Sequence, residues 1–137
     1  MAGELTPASV LAEVDRIMSA RWKWGHADCC TAASDVFNAL HGIDPMSPVR
    51  GAYDSLGGAA RLIRNWGGFV SMAEQMARIA GLTVSAGQPG DIGLSPPGTA
   101  DGPERRALLI CIQPGHWAAK TGLGYEIQPT AERCWCA

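Results

Sequence analysis

The spacing of apolar residues changes at Gly81, and that change constrains the fold more than any other feature of the chain. Before it, apolar residues recur in steps of three and four: Val10, Leu11, Val14, Ile17 and Met18; Ala32, Ala33, Val36, Phe37 and Leu40; Leu56, Ala60 and Ile63; Phe69, Met72, Ala73, Met76 and Ala80. Each set is one buried face of a helix. After Gly81 the helical period disappears. Ala107 to Ile112 is a continuous apolar run of strand length, which predicts a central strand buried on both faces. His116 to Thr121 and Tyr125 to Gln128 follow, set off by Gln113-Pro114-Gly115 and Gly122-Leu123-Gly124. That is the pattern of a small antiparallel meander. Helices that precede strands imply an α+β protein, with N-terminal helices packed on a small C-terminal antiparallel sheet. The 137 residues suffice for one core, and nothing reads as a linker or repeat, so residues 1–137 are expected to form a single domain.

The helix ends are legible. Thr6-Pro7 supplies an N-cap and a first-turn proline, Gly42 a left-handed stop after His41, and Gly67-Gly68 a break before the fourth helix. Gln88-Pro89-Gly90-Asp91 makes a turn into a short strand, Ser95 to Arg106 reads as a loose surface loop, and the segment after Pro129 predicts a short helical turn that lays Trp135 on the sheet.

The residues with chemical interest gather at the start of the second helix, in Trp22-Lys23-Trp24-Gly25-His26-Ala27-Asp28-Cys29-Cys30. Asp28 is the expected N-cap, and Gly25 permits a turn that a side chain would obstruct. Cys29 falls in the first turn, where unpaired N–H groups and the positive end of the helix dipole favour a thiolate. A nucleophilic cysteine would be placed there; a buried structural thiol would read the same way in isolation. A nucleophile also requires a base. Of the three histidines, His41 is explained by the end of its own helix and His26 by the preceding turn. His116, which opens a strand, is the candidate base. Trp22 and Trp24 are candidates for lining a substrate groove, although covering the core beside the cysteine helix is the more ordinary use of such residues.

Charge and cysteine usage exclude several classes. A net charge of −2 without a basic run argues against nucleic acid as a partner, and no segment is long and apolar enough for membrane insertion. The N-terminus has neither the basic segment nor the apolar core of a signal peptide. Five cysteines, at 29, 30, 111, 134 and 136, are an odd set, and a disulfide framework is not expected. Neither Cys29-Cys30 nor Cys134-x-Cys136 has Cys-x-x-Cys spacing, so no metal or other cofactor is expected.

Trp24-Gly25-x-x-Asp28-Cys29 ahead of a helix, then Pro89-Gly90-Asp91-Ile92 and a meander that contains a histidine, resembles the NlpC-type cell-wall cysteine peptidases of the papain-like group. With Arg50-Gly51-x-Tyr53, the Gly-Gly-Ala-Ala-Arg helix and Trp135, the likeness is closer to a small branch encoded in tail gene clusters of tailed phages and gene transfer agents; it covers roughly residues 20–137. The resemblance implies a virion tail-tip location, tail hub or tail-tip proteins as partners, and the peptidoglycan stem peptide as substrate. It also implies Cys29 as nucleophile, His116 as base and Gln128 as the residue that orients the base. One departure bears on activity: the strand after the Pro-Gly-Asp strand begins with Ala107, where a histidine would be expected. Either His116 takes the role, giving a peptidase or amidase that cleaves stem-peptide amides, or the site has decayed and the chain is a structural component of the tail tip.

Overall fold

The computed structural model describes residues 5–137; the reading of the N-terminus up to Glu4 lies outside the described residues. Four helices come first: α1 (Pro7–Met18), α2 (Cys29–His41), α3 (Leu56–Asn65) and α4 (Phe69–Ile79). Six strands follow: β1 (Thr83–Val84), β2 (Ile92–Leu94), β3 (Leu108–Gln113), β4 (His116–Lys120), β5 (Tyr125–Gln128) and β6 (Arg133–Cys136). All pair antiparallel, in the order β1-β6-β2-β3-β4-β5. The protein is therefore α+β, with its helices segregated from one antiparallel sheet. None of the described helices is long and apolar enough to cross a membrane.

The sequence caps act as expected. Thr6 and Ser9 exchange bonds across the start of α1, and Gly42 ends α2 in the left-handed region, its N–H donating to the Asn38 carbonyl. Helices α1 and α2 pack on each other and on β3. Val10, Val14 and Met18 meet Ala33, Val36, Phe37 and Ile110 in a core from which water is excluded. β3 is the central strand the apolar run predicted, buried from Leu108 to Ile112.

Two expectations fail. The C-terminal segment forms a strand rather than a helical turn: β6 inserts between β1 and β2, with Trp135 opposite both Val84 and Ile92. Its alternating Arg-Cys-Trp-Cys pattern suits a strand, and it satisfies backbone groups on two neighbours at once. Nor is the 95–106 segment loose. Glu104 accepts a 2.7 Å hydrogen bond from the Phe69 N–H at the start of α4, and Gln128 donates to the Thr99 carbonyl. Glu104 and Arg105 take left-handed φ values of 54° and 52°. Such backbone persists where surrounding bonds fix it. Here Glu104 supplies the cap that Gly68, at the N-cap of α4, has no side chain to make.

Candidate functional site

The start of α2 is organised by Asp28, which is almost fully buried. One carboxylate oxygen accepts from the N–H groups of Cys30 and Thr31, both at 2.9 Å. The other accepts from the Gly25 N–H at 2.8 Å and the Tyr53 hydroxyl at 2.7 Å. Thr31 returns the favour through its hydroxyl, which accepts from the Asp28 N–H. Gly25 has φ 82°, and a Cβ there would lie 2.1 Å from the Tyr53 carbonyl oxygen, so only glycine lets the 50–54 loop close on this turn. The cap was legible in sequence. Its link to Tyr53, 25 residues away, was not, because a capping residue shows nothing of its distant donors.

Cys29 lines a cavity of about 480 Å³. Trp22 and Trp24 line it too, their rings edge to face with centroids 5.1 Å apart. Cys29 and both tryptophans thus line one cavity. Ala107, which precedes β3, lies in the same wall. The charged residues that line the cavity are Asp101, Arg105, Lys120 and Glu126.

Lys120 is the residue that sequence reasoning missed most plainly. It is buried, and its ammonium donates to the carbonyl oxygens of Met18, Ala20 and Thr121. Those bonds use all three N–H donors, so Lys120 closes the C-terminal end of α1 and presents no free base to Cys29. Burial lowers its pKa from the ordinary lysine value. The signal in the sequence was a single lysine at the end of the Trp117-Ala118-Ala119 run.

The other candidates lie elsewhere. His116 opens β4 at the hairpin turn, exposed, with its Nδ1 3.4 Å from the Gln113 side chain and from the Pro114 carbonyl oxygen. It borders a separate, mainly apolar hollow beside Pro7, Ala8 and Leu11 at the beginning of α1. The Cys29 cavity sits at the other end of the same strand, by Lys120. Four residues of strand span about 13 Å, well beyond hydrogen-bond reach. His116 thus does not meet Cys29. The reason is topological: in an antiparallel hairpin the residue that opens the second strand lies opposite the end of the first, here Gln113, and not beside its beginning at Ala107. Nor does Gln128 orient His116. It pairs with Trp117, and its amide donates to the Thr99 carbonyl at 2.9 Å and to the Glu126 carboxylate at 3.2 Å. Of the remaining histidines, His26 is exposed in its turn and His41 makes a 2.9 Å hydrogen bond with the Gly90 carbonyl oxygen.

Residues 6–137 match the model of a family described as a domain of unknown function, DUF6950. The chain belongs to the DUF6950 family. No curated protein and no solved structure matches it.

The thiols of this DUF6950 chain differ in environment. All five are free. Cys30 is held well above the ordinary thiol range by its hydrogen bond with the Cys29 sulfur and by burial. Burial pushes Cys111 up to about 12, with the nearby Asp91 carboxylate adding to it. Cys111 packs inside β3, as its place in the apolar run implied. Tyr53 is likewise raised, first by burial, with the Asp28 carboxylate adding to it. The hydroxyl therefore stays a donor to Asp28. Asp91 of the Pro-Gly-Asp turn accepts from the Gln88 N–H and the Ser85 hydroxyl, and so acts within the turn.

Proposed function

We propose that this chain is a tail-tip component of a phage or phage-like particle that keeps an NlpC-type, papain-like arrangement of helix and sheet while serving assembly rather than wall cleavage. One observation carries the reading: the cavity at Cys29 has Ala107 in the wall where the peptidase pattern asks for histidine, and none of the three histidines lines it. Without a base the thiol has nothing to take its proton during acylation. The carboxylate next to it, Asp28, has both oxygens committed to four donors. Partners on this reading are tail hub or neighbouring tail-tip proteins, met by the surface of the domain.

Peptidoglycan cleavage is the second reading, favoured by the position of Cys29 at a helix start on a large, tryptophan-lined cavity. One experiment separates the two. Purified protein is incubated with peptidoglycan and with isolated stem peptides, products are followed by mass spectrometry, and particles that carry Cys29→Ser are tested for assembly and infection. The assembly reading expects no fragments and normal particles. Stem-peptide fragments released by the unaltered protein and lost in Cys29→Ser would overturn it.

A further inference from the structure

The sulfur atoms of Cys29 and Cys30 lie 4.0 Å apart. Adjacent residues on a helix point about 100° apart, so neighbouring cysteines need not converge. Here they do, and the absence of Cys-x-x-Cys spacing no longer argues against a shared ligand. With tetrahedral or trigonal geometry and metal–sulfur bonds of about 2.3 Å, two sulfurs on one ion are separated by ~3.8–4.0 Å. Cys29, Cys30 and Asp28 are also the one group among the described residues whose ligand atoms all lie within 4.8 Å of one another. The aspartate is spent on its four hydrogen bonds, which leaves the two thiols as donors.

A second, independent feature says what kind of ion fits. Both cysteines line a small hollow of about 20 Å³ that adjoins the large cavity, sharing Trp24 and Cys29 with it. That is room for a single water or ion. Its walls include the thioether residues Met46 and Met72 together with Phe69 and Ile63, and it is almost wholly apolar. An apolar hollow is a poor place for a strongly hydrated cation such as Mg²⁺ or Ca²⁺, which requires oxygen ligands. Thiolate and thioether donors select soft ions, cuprous copper above all.

We propose that the Cys29–Cys30 pair and the methionine-lined hollow form a binding site for one cuprous ion. Binding breaks two S–H bonds, forms two Cu–S bonds and releases two protons; copper enters and stays as Cu(I), so no electron is transferred. The proposal does not depend on whether the chain assembles tails or cleaves wall peptide.

The test uses the reduced full chain under anaerobic conditions, titrated with Cu(I) held by a chromogenic cuprous chelator. The expected result is removal of about one copper per chain from the chelator, with Cys29 and Cys30 alkylated at least tenfold more slowly in the copper-loaded than in the copper-free unaltered protein and Cys134 and Cys136 alkylated equally in both. Cys30→Ala should lose at least tenfold in competition for copper, Met46→Leu and Met72→Leu a smaller factor, and Cys134→Ser nothing. Protection mapping on the unaltered chain keeps the test decisive if a variant fails to fold. No competition with the chelator, protection that maps to Cys134 and Cys136, or displacement of Cu(I) by equimolar Zn²⁺ would each overturn the proposal.

Discussion

The two ends of β4 differ in what holds them. At Lys120 the strand is tied to the last carbonyls of α1 by a buried ammonium and borders the cavity with Cys29 and both tryptophans. At His116 it emerges at a turn, exposed, with its Nδ1 3.4 Å from the Gln113 side chain and from the Pro114 carbonyl oxygen. By residue type alone the histidine end would be the chemical one. By placement it is the lysine end. A side chain's chemistry becomes relevant only where topology delivers it, and an antiparallel hairpin delivers the first residue of β4 to the wrong end of β3. The sharpest way to break or refine this contrast is to perturb both ends and compare.

The largest effect is expected at the cavity end, from Asp28→Ala. The change removes a buried carboxylate that accepts four hydrogen bonds and leaves the N–H donors of α2 and the Tyr53 hydroxyl without it. A loss of about 3–4 kcal/mol is expected, lowering the melting temperature by roughly 10–15 °C in calorimetry. A fall of only a few degrees would show that the α2 start is held by something other than its cap.

Lys120→Met comes next. It keeps most of the apolar stem but strips the donor from the Met18, Ala20 and Thr121 carbonyls, for an expected cost of about 2 kcal/mol in urea denaturation. Because water reaches part of this region through the cavity, the cost should stay below that of Asp28→Ala. Equal costs would mean that the end of α1 matters as much to the site as the start of α2.

Much of this was legible beforehand, for a physical reason. Helix faces, caps and the apolar β3 run are local: each needs only residues a few positions apart, as Val10, Val14 and Met18 illustrate. So the four helices, the central strand and the Asp28 cap could be read from the chain. What could not be read was pairing at long range. β6 was missed because Arg-Cys-Trp-Cys is short enough to pass for a turn, and its partners, β1 and β2, lie some forty to fifty residues earlier. The bonds made by Lys120, Tyr53 and Glu104 were missed because their partners, Met18, Asp28 and Phe69, are distant in sequence. His116 was misplaced by the same blindness: its chemistry is local, its neighbours are not.

A smaller effect is expected at the loop that roofs the cavity. Glu104 caps α4 from outside the helix, so Glu104→Ala should cost about 1 kcal/mol and Glu104→Gln about half that, since the amide oxygen still accepts but the charge at the helix start is gone. Amide hydrogen exchange at Phe69 is the direct readout. If exchange there is unchanged in Glu104→Ala, the left-handed pair at 104–105 is held by its own backbone bonds to Thr99 and Ala100, and the cap is secondary.

The smallest effect belongs to the other end of β4. His116→Ala removes an exposed ring whose side-chain hydrogen bonds are long, at 3.4 Å, so stability should change by less than about 0.5 kcal/mol. More telling is the effect on Cys29. Alkylation rates measured against pH, with peptide mapping to separate Cys29 from the other thiols, should superimpose for the unaltered protein and His116→Ala, because the imidazole and the sulfur stand at opposite ends of a strand. An imidazolium beside the sulfur would instead give a thiolate fraction that rises near the histidine pKa and a rate that drops severalfold when the ring is removed. Should that drop appear, the two ends of β4 must approach in solution, the topological argument fails, and Cys29 with His116 returns as a catalytic pair.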